Sequence, residues 1–426
     1  MAKYLKQRKE INEKSQTDLR ETVGSILEDI KINGDEAVMK YSLQFDHWSP
    51  EKYKLSEDEI HKAIKLVPET LKEDIKFVSK QIKYFAEKQL ESFSELEVET
   101  HPGIHLGHKL VPINSVGTYV PGGRAPLMSS AMMSTIPAKV AGVENIISFT
   151  PPAKDGKGIP PAMIFSLYNA GSTNIYSIGG VQAIASMAYG TETIDSVDMI
   201  VGPGNAFVAE AKRQVSGIVG IDLPAGPSEV LVIADESSDP GIVAADLLGQ
   251  AEHDPNARSI LISTSQKLAE EVLKLIPDQL ELLASYDVAS QSWENNGEVV
   301  VVGDYEEAAT LSDEYAIEHL EVQTSENEWF LNRLKNYGSL FVGEEATVVY
   351  SDLVVGTNHI LPTMTASRFT NGLWVGKFIK TQSYQRFTKE ASIFIAPIAS
   401  RLALAENMPA HSETALKRLE KYKRDK

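Results

Sequence analysis

Cysteine is absent from the 426 residues, and that absence excludes several kinds of chemistry. There is no disulfide framework, no thiolate-bound zinc and no iron–sulfur cluster. A thiol nucleophile is excluded too, and with it the covalent thiohemiacetal route for oxidising an aldehyde. Any metal must be held by imidazole, carboxylate or amide groups. Long hydrophobic runs are also missing. None approaches the ~20 residues that span a bilayer, and the most apolar stretch, Ile393 to Leu404, is interrupted by Arg401. Met1 to Arg8 carry positive charge with no apolar run behind them. A signal peptide is therefore not expected, and the chain reads as cytoplasmic. Basic residues are in deficit, with 41 Lys and Arg against 59 Asp and Glu and a net charge of −18. So acidic a surface repels phosphate backbones and anionic lipid, and neither nucleic acid nor membrane is expected as a partner.

What is present is an ordinary globular balance, 42% hydrophobic and 23% charged residues, with a mean hydropathy of −0.17. At roughly 150 residues per domain the length predicts about two to three domains. The first part is helical: Ser15 is a candidate cap for a helix carrying Leu19, Val23, Ile26, Leu27 and Ile30, with Gly34 as its stop. Ser56 and Glu59 have capping-box spacing, and Leu71, Ile75, Val78, Ile82 and Phe85 fall on one face of a later helix. From Val116 onward, short apolar strands alternate with helices, as at Asn145 to Phe149, Asn174 to Ile178 and Met199 to Val201. A second such series uses Val230 to Ile233, Ile260 to Ile262, Val299 to Val302 and Ser339 to Val342, with a helix from Pro240 to His253. This alternation is the signature of parallel sheets. The predicted fold is α/β: two doubly wound, incomplete Rossmann-like lobes with helical N- and C-terminal additions, the last part helical from about Ser383.

Gly202-Pro203-Gly204-Asn205 lies between a strand and a helix, where backbone N–H groups can receive an anion. It starts like a dinucleotide fingerprint, but Phe207 stands where the third glycine belongs. The glycines of Tyr119 to Gly123 and of Ile178 to Gln182 read first as turns. Among the nine histidines, His47, His61, His101, His105 and His108 lie in polar or helical settings without a partner pattern. His101 and His105 are either a metal pair or residues of a β-hairpin, with the hairpin favoured. Gln250 and His253 are three apart at a helix end, a spacing that lets both converge on one ion. Glu318 and His319 enter an apolar strand, and an adjacent acid and imidazole are general acid–base equipment or a surface pair. Asp352 precedes the polar loop Gly356-Thr357-Asn358-His359. His411 follows Glu406 in a helical segment near the C-terminus.

The order of these signals resembles the histidinol dehydrogenase family over nearly the whole chain. The matching blocks are Gly117 to Gly123, Gly179 to Ala185, Val201 to Asn205, Pro224 to Val230, Gln250 to His253, Glu318-His319 and Gly356 to Thr363. The resemblance implies zinc ligands at Gln250, His253, Asp352 and His411, and a catalytic acid–base pair at Glu318 and His319. It implies NAD contacts at Tyr119, Gln182 and Asn205. Substrate contacts are implied at Ser228, His359 and Glu406, and at the zinc ligands and His319 around them. It further implies a homodimer with shared active sites, in which the C-terminal segment reaches the partner. The expected layout is a helical region 1–115 completing the first lobe, and a lobe 116–228 with the NAD-contacting loops. A lobe 229–382 with the zinc and catalytic residues follows, and then a helical segment 383–426.

The chain also departs from the biosynthetic pattern. Ala316-Ile317 precede Glu318 where the family usually has Ala-Pro, and Asn407-Met408-Pro409-Ala410 replace a usual Gly-Leu-Thr-Ala. The His101 to His108 segment and Arg124 look more like a paralogous branch that includes sulfopropanediol dehydrogenases, whereas Ser228-Glu229 looks like the histidinol enzymes. The resemblance therefore implies oxidation of a primary alcohol through the aldehyde to the carboxylate. L-Histidinol is the leading substrate, and a small sulfonated alcohol, 2,3-dihydroxypropane-1-sulfonate, is the alternative. A two-lobed solute-binding protein is the competing class, disfavoured by the missing signal peptide and by Glu318-His319.

Overall fold

A computed structural model of the protein describes residues 2–9, 16–122, 126–154, 156–223 and 226–424. The chain forms two compact units, each assembled from segments that are distant in sequence. Met1–Lys88 and Ile113–Phe378 make the first, and Gln89–Pro112 and Ile379–Lys426 the second. The predicted boundaries followed chain order. The structure instead joins residues 89–112 to the C-terminal segment.

The first unit holds two sheets. One runs β6 (Asn174–Ser177), β5 (Asn145–Thr150), β4 (Ser115–Tyr119), β7 (Met199–Val201), β8 (Gly220–Ile221), with every neighbouring pair parallel. The order reverses between β4 and β7, the kind of switch point at which open α/β sheets take ligands beyond their carboxyl ends. Helices cover it. Val23, Ile26, Leu27 and Ile30 of the helix Gln16–Asp46 pack into the core shared with Ile184 of Gly180–Tyr189 and Val208 of Ala206–Val215. Ile75, Val78 and Ile82 of Glu69–Glu91 join Met132, Met133 and Phe165 on another face. The capping box at Ser56 forms as expected, with Glu59 reaching back to the Ser56 backbone. Gly34 is a kink (φ 50°) within the first helix rather than its stop. The proposed cap, Ser15, lies outside the described residues.

The second sheet runs β1 (Lys3–Lys6), β11 (Glu298–Val301), β10 (Arg258–Ser263), β9 (Glu229–Ala234), β12 (His319–Gln323), β13 (Ser339–Val342). Its strands are parallel except β1, which pairs antiparallel with β11. The first residues therefore complete the second sheet, not the first lobe to which 1–115 was expected to belong. All six residues of β9 are buried, the near-continuous apolar run of a strand covered on both faces.

The second unit is a three-stranded antiparallel sheet, β14 (Ile379–Phe387), β3 (Ile104–Pro112), β2 (Leu96–His101), followed by helices Lys389–Ala405 and Pro409–Arg424. The two helices meet at a buried hydrogen bond between the Ser400 and Ser412 hydroxyls, 2.6 Å. The expectation that helix begins at Ser383 fails: 383–387 finishes β14, and helix starts at Lys389. Most β14 side chains are exposed, so no apolar alternation marks it as a strand. Among the described residues, no helix is long and apolar enough to cross a membrane.

Candidate active site

The second sheet brings its chemistry to the amino ends of its strands. Glu229 opens β9 and His319 opens β12, with His319 in register beside Val230. The helix Pro240–Ala251 leaves the carboxyl end of β9 and runs back along the sheet, so that it ends at the same level. Gln250 lies buried in its last turn. His253 lies just past the helix, on a closing turn where its N–H donates to the Gln250 carbonyl at 3.2 Å. The two are therefore joined by a turn rather than sharing a helical face, and His253 is exposed. The carboxyl end of a helix carries partial negative charge, which favours a cation there.

Glu229 is the hub. Its backbone N–H donates to Glu318 Oε2 at 2.8 Å, and its carbonyl accepts from His319 Nδ1 at 3.0 Å. Because Nδ1 is the donor in that bond, it is Nε2 that carries the lone pair when the ring is neutral. Glu318 Oε2 lies 3.4 Å from His319 Nδ1, and both side chains are buried (6% and 3% exposed). Burial pulls the His319 pKa down, but the Glu318 and Asp352 carboxylates outweigh it and raise the group well above its ordinary value. The Glu229 carboxyl is pushed up to about 7, chiefly by burial; Arg258 opposes the rise and Glu318 adds to it. Arg258 bridges Glu229 and Glu298 at 3.3 and 3.0 Å. Met364 N–H also reaches the Glu229 carboxylate, from a loop in which Met364 and Thr365 both have positive φ (52° and 64°). Two neighbouring non-glycine residues in that region store strain of about 1–3 kcal/mol each.

Asp352 sits in a single π-helical turn, Ser351–Val355, closed by Gly356. Gly356 needs its φ of 98°, and a side chain there would lie 2.7 Å from the Gln81 backbone. Burial tends to raise the Asp352 pKa, but the neighbouring His319 and the charges of His359 and His253 lower it overall. His359 Nδ1–H donates to the Asp352 carbonyl (3.0 Å), while its Nε2 accepts from Ser130 Oγ (2.8 Å). Burial lowers the His359 pKa, which suits a neutral ring. His319 Nε2 and Asp352 Oδ1 are among the buried polar atoms that close no hydrogen bond, and they face each other across 3.6 Å. Buried polar atoms are rarely orphaned, so this gap fits a third group. An amide oxygen, an imidazole and a carboxylate at Gln250, His253 and Asp352 form a donor set suited to zinc. Among the described residues, no group of three or more His, Cys, Asp or Glu comes together by itself as a metal cage. Ser228 is half-buried just before β9, and its carbonyl accepts from Arg258 N–H. Glu406 and His411 belong to the second unit, where both are exposed, Glu406 at the end of Lys389–Ala405 and His411 in Pro409–Arg424.

The proposed dinucleotide residues stand at the carboxyl ends of the first sheet. Tyr119 ends β4, and its hydroxyl accepts from Gly180 N–H at 3.1 Å. Gln182 is fully enclosed, its amide donating to Asp46 at 2.9 Å. Asn205 caps the helix Ala206–Val215 through Oδ1, accepting from Phe207 and Val208 N–H, which leaves its NH2 for a ligand. Gly202 has a φ of 119°, and a side chain on it would lie 2.0 Å from the Tyr119 carbonyl oxygen. Asp222 accepts from Gly202 N–H (2.7 Å), Lys212 donates to the Gly202 carbonyl (2.9 Å), and Lys212 and Asp222 pair with each other. His101 and His105 are hairpin residues of the second unit: His101 stacks on Phe394, and His105 lies 3.8 Å from Glu99. His108 reaches the Ser94 carbonyl. Arg124 lies outside the described residues.

Glu229, Lys212, Asp222 and Asp46 were not singled out as site residues from the sequence, and neither was Glu321. Glu321 is an acid in the middle of an apolar strand, which is itself the signal. It is 0% exposed, and Gln323 Nε2 donates both to it (3.2 Å) and to Asp246 (2.8 Å). Two carboxylates that share one amide in a buried pocket resist joint ionisation. Burial and then Asp246 raise the Glu321 pKa far above the carboxylate range. The unfolded chain releases that proton near pH 4.5, so native stability falls as pH rises from there toward the raised value. Glu321→Gln should flatten this decline, raising the unfolding temperature by several degrees at pH 9 and leaving it nearly unchanged at pH 4. Thermal melts at the two pH values check it, and equal gains at both would count against it.

A family model described as histidinol dehydrogenase matches residues 8–419. The chain is 50% identical over 424 residues to the histidinol dehydrogenase homolog of Shouchella clausii, covering 99% of this chain and 100% of that one. It is 42% identical over 421 residues to the sulfopropanediol 3-dehydrogenase of Ruegeria pomeroyi, covering 98% and 96%. The crystal structure of histidinol dehydrogenase from Elizabethkingia anophelis matches with a TM-score of 0.91 at 37% identity, over 97% of this chain and 94% of that one.

Proposed function

Because the chain belongs to the histidinol dehydrogenase family, a family that oxidises an alcohol through the aldehyde to the acid, we propose that it is a zinc-dependent, NAD-linked dehydrogenase of a primary alcohol. The observation that carries this reading is the pair of unpartnered atoms, His319 Nε2 and Asp352 Oδ1, 3.6 Å apart. The ligands would be Gln250, His253, Asp352 and His411. When bound, zinc would anchor and polarise the alcohol oxygen, and NAD would accept hydride. His319 takes the hydroxyl proton at Nε2, its ring held by the Glu229 carbonyl. Glu318 activates the water that converts the aldehyde into its hydrate, which is required because no cysteine is present. Ser228, His359 and Glu406 contact the substrate.

L-Histidinol is the leading substrate: its imidazole and amine need acceptors, which Glu406 supplies. The similarity to the Ruegeria pomeroyi enzyme supports a second reading, a small sulfonated alcohol. Steady-state NADH formation from a panel containing both alcohols tests the proposal, with activity lost to a chelator and restored by zinc. Full activity in protein shown to be metal-free would overturn it. A histidinol kcat/KM below the roughly 10⁴ M⁻¹s⁻¹ typical of enzymes, with the sulfonate well above it, would select the second reading.

The site is completed, in this reading, by a second copy. The second unit exposes Phe387, Phe394, Leu402, Leu404 and Met408, an apolar surface of the kind that marks association. A homodimer would bring Glu406 and His411 to the partner's site. Mixing inactive His253→Ala chains with inactive His411→Ala chains should then restore part of the activity after subunit exchange. A fully active monomer in sedimentation would refute it.

A further inference from the structure

The amino end of the helix Gly180–Tyr189 lies beyond the carboxyl ends of β4 and β6, where a parallel sheet would ordinarily receive a phosphate. That place is taken. Asp46, the last residue of a helix more than a hundred positions earlier in the chain, accepts from Gln182 Nε2 at 2.9 Å and from Gly179 N–H. A side chain on Gly179 would come within 3.2 Å of the Asp46 carboxylate and 2.6 Å of Pro151, which follows β5. The carboxylate is therefore packed directly against the loops that end β5 and β6. Tyr119 and Gln182 are both buried at this spot, and Gln182 Oε1 has no partner. Asp46 is only partly buried.

A carboxylate only accepts hydrogen bonds. A ligand meeting it must bring donors, and a phosphate presented there would meet a like charge. We propose that Asp46 is the residue by which this protein selects its dinucleotide, accepting the ribose hydroxyls of NAD and excluding a cofactor with a phosphorylated ribose. The proposal rests on the NAD-linked reading above and adds to it a residue that the glycine-loop motifs do not contain. The same carboxylate holds the Gln182 amide with its NH2 turned to Asp46, which leaves Oε1 as the unfilled acceptor.

The test is direct binding, by titration calorimetry of the full chain with NADH and NADPH. The wild type should bind NADH at least tenfold more tightly than NADPH. Hydrogen bonds to a charged acceptor account for roughly tenfold or more, so Asp46→Asn should weaken NADH by about that factor. NADPH binding should hold or improve, and the preference should collapse. Asp46→Glu, which keeps the charge, should retain it. Two results overturn the proposal while leaving the NAD-linked reading intact: NADPH binding the wild type as tightly as NADH, or Asp46→Asn weakening both dinucleotides equally. A wild type that binds neither dinucleotide sinks the functional reading itself, and this proposal with it.

Discussion

Replacing His319 with asparagine is expected to slow both oxidation steps, alcohol to aldehyde and aldehyde to acid, by about 10²- to 10⁴-fold in kcat, the usual contribution of a general base. The asparagine amide can still donate to the Glu229 carbonyl that holds His319 Nδ1 at 3.0 Å. The exchange therefore removes the titrating nitrogen with little disturbance of the strand. Each step needs a proton taken from oxygen as hydride leaves, first from the hydroxyl and then from the aldehyde hydrate, so one base serves both. Glu318 is placed differently. Its Oε2 is held by Glu229 N–H at 2.8 Å, which fixes the carboxylate beside the imidazole. Glu318→Gln keeps the shape and loses the charge, and it should impair aldehyde oxidation more than alcohol oxidation. Presteady-state NADH formation, started from the alcohol and separately from the aldehyde, distinguishes the two roles. Equal losses in both steps for Glu318→Gln would argue against this division of labour.

The largest expected loss of stability comes from Lys212→Met. Lys212 and Asp222 are 3% and 5% exposed, and between them they occupy both the N–H and the carbonyl of Gly202. Removing only the lysine leaves a buried carboxylate uncompensated, which costs about 3–5 kcal/mol. Removing both charges avoids that penalty, so Lys212→Met with Asp222→Leu should recover a substantial part of the loss. Urea unfolding with linear extrapolation measures both variants. A single substitution costing less than about 1 kcal/mol would show that water reaches the pair.

The parallel sheets were legible because buried strands such as β9 are almost wholly apolar and because glycines and prolines punctuate them. The residues around His319 were legible only as an ordered set: Glu318, His319, Asp352 and His359 do meet in space, although each was an unremarkable signal alone. What stayed hidden had no side-chain signature. Glu229 organises the site through its backbone N–H and carbonyl, which every residue other than proline possesses. Asp46 reaches the first sheet from outside the strand–helix alternation. β1 is too short to read as a strand, and its partner, β11, lies far along the chain at Glu298–Val301. β14 carries too little apolar character on either face to declare a period. The amide shared by Glu321 and Asp246 could have been suspected, since an acid within His319–Gln323 must find a partner when that strand is buried.

The discontinuous assembly of the second unit carries a consequence for synthesis. β3 pairs along its whole length with β14, from Ile104 with Phe387 to Pro112 with Ile379. At translation rates of about 5–20 residues per second, the β2–β3 hairpin leaves the ribosome on the order of tens of seconds before its third strand exists. Throughout that interval it has an open edge, the feature by which nascent chains join one another. Glu95, just before β2, and Glu97 and Glu99 within it alternate with Leu96 and Val98. Like charges at alternate positions on β2, the outer strand of this sheet, make two such strands repel, so that side of the hairpin is guarded while the β3 side waits for β14.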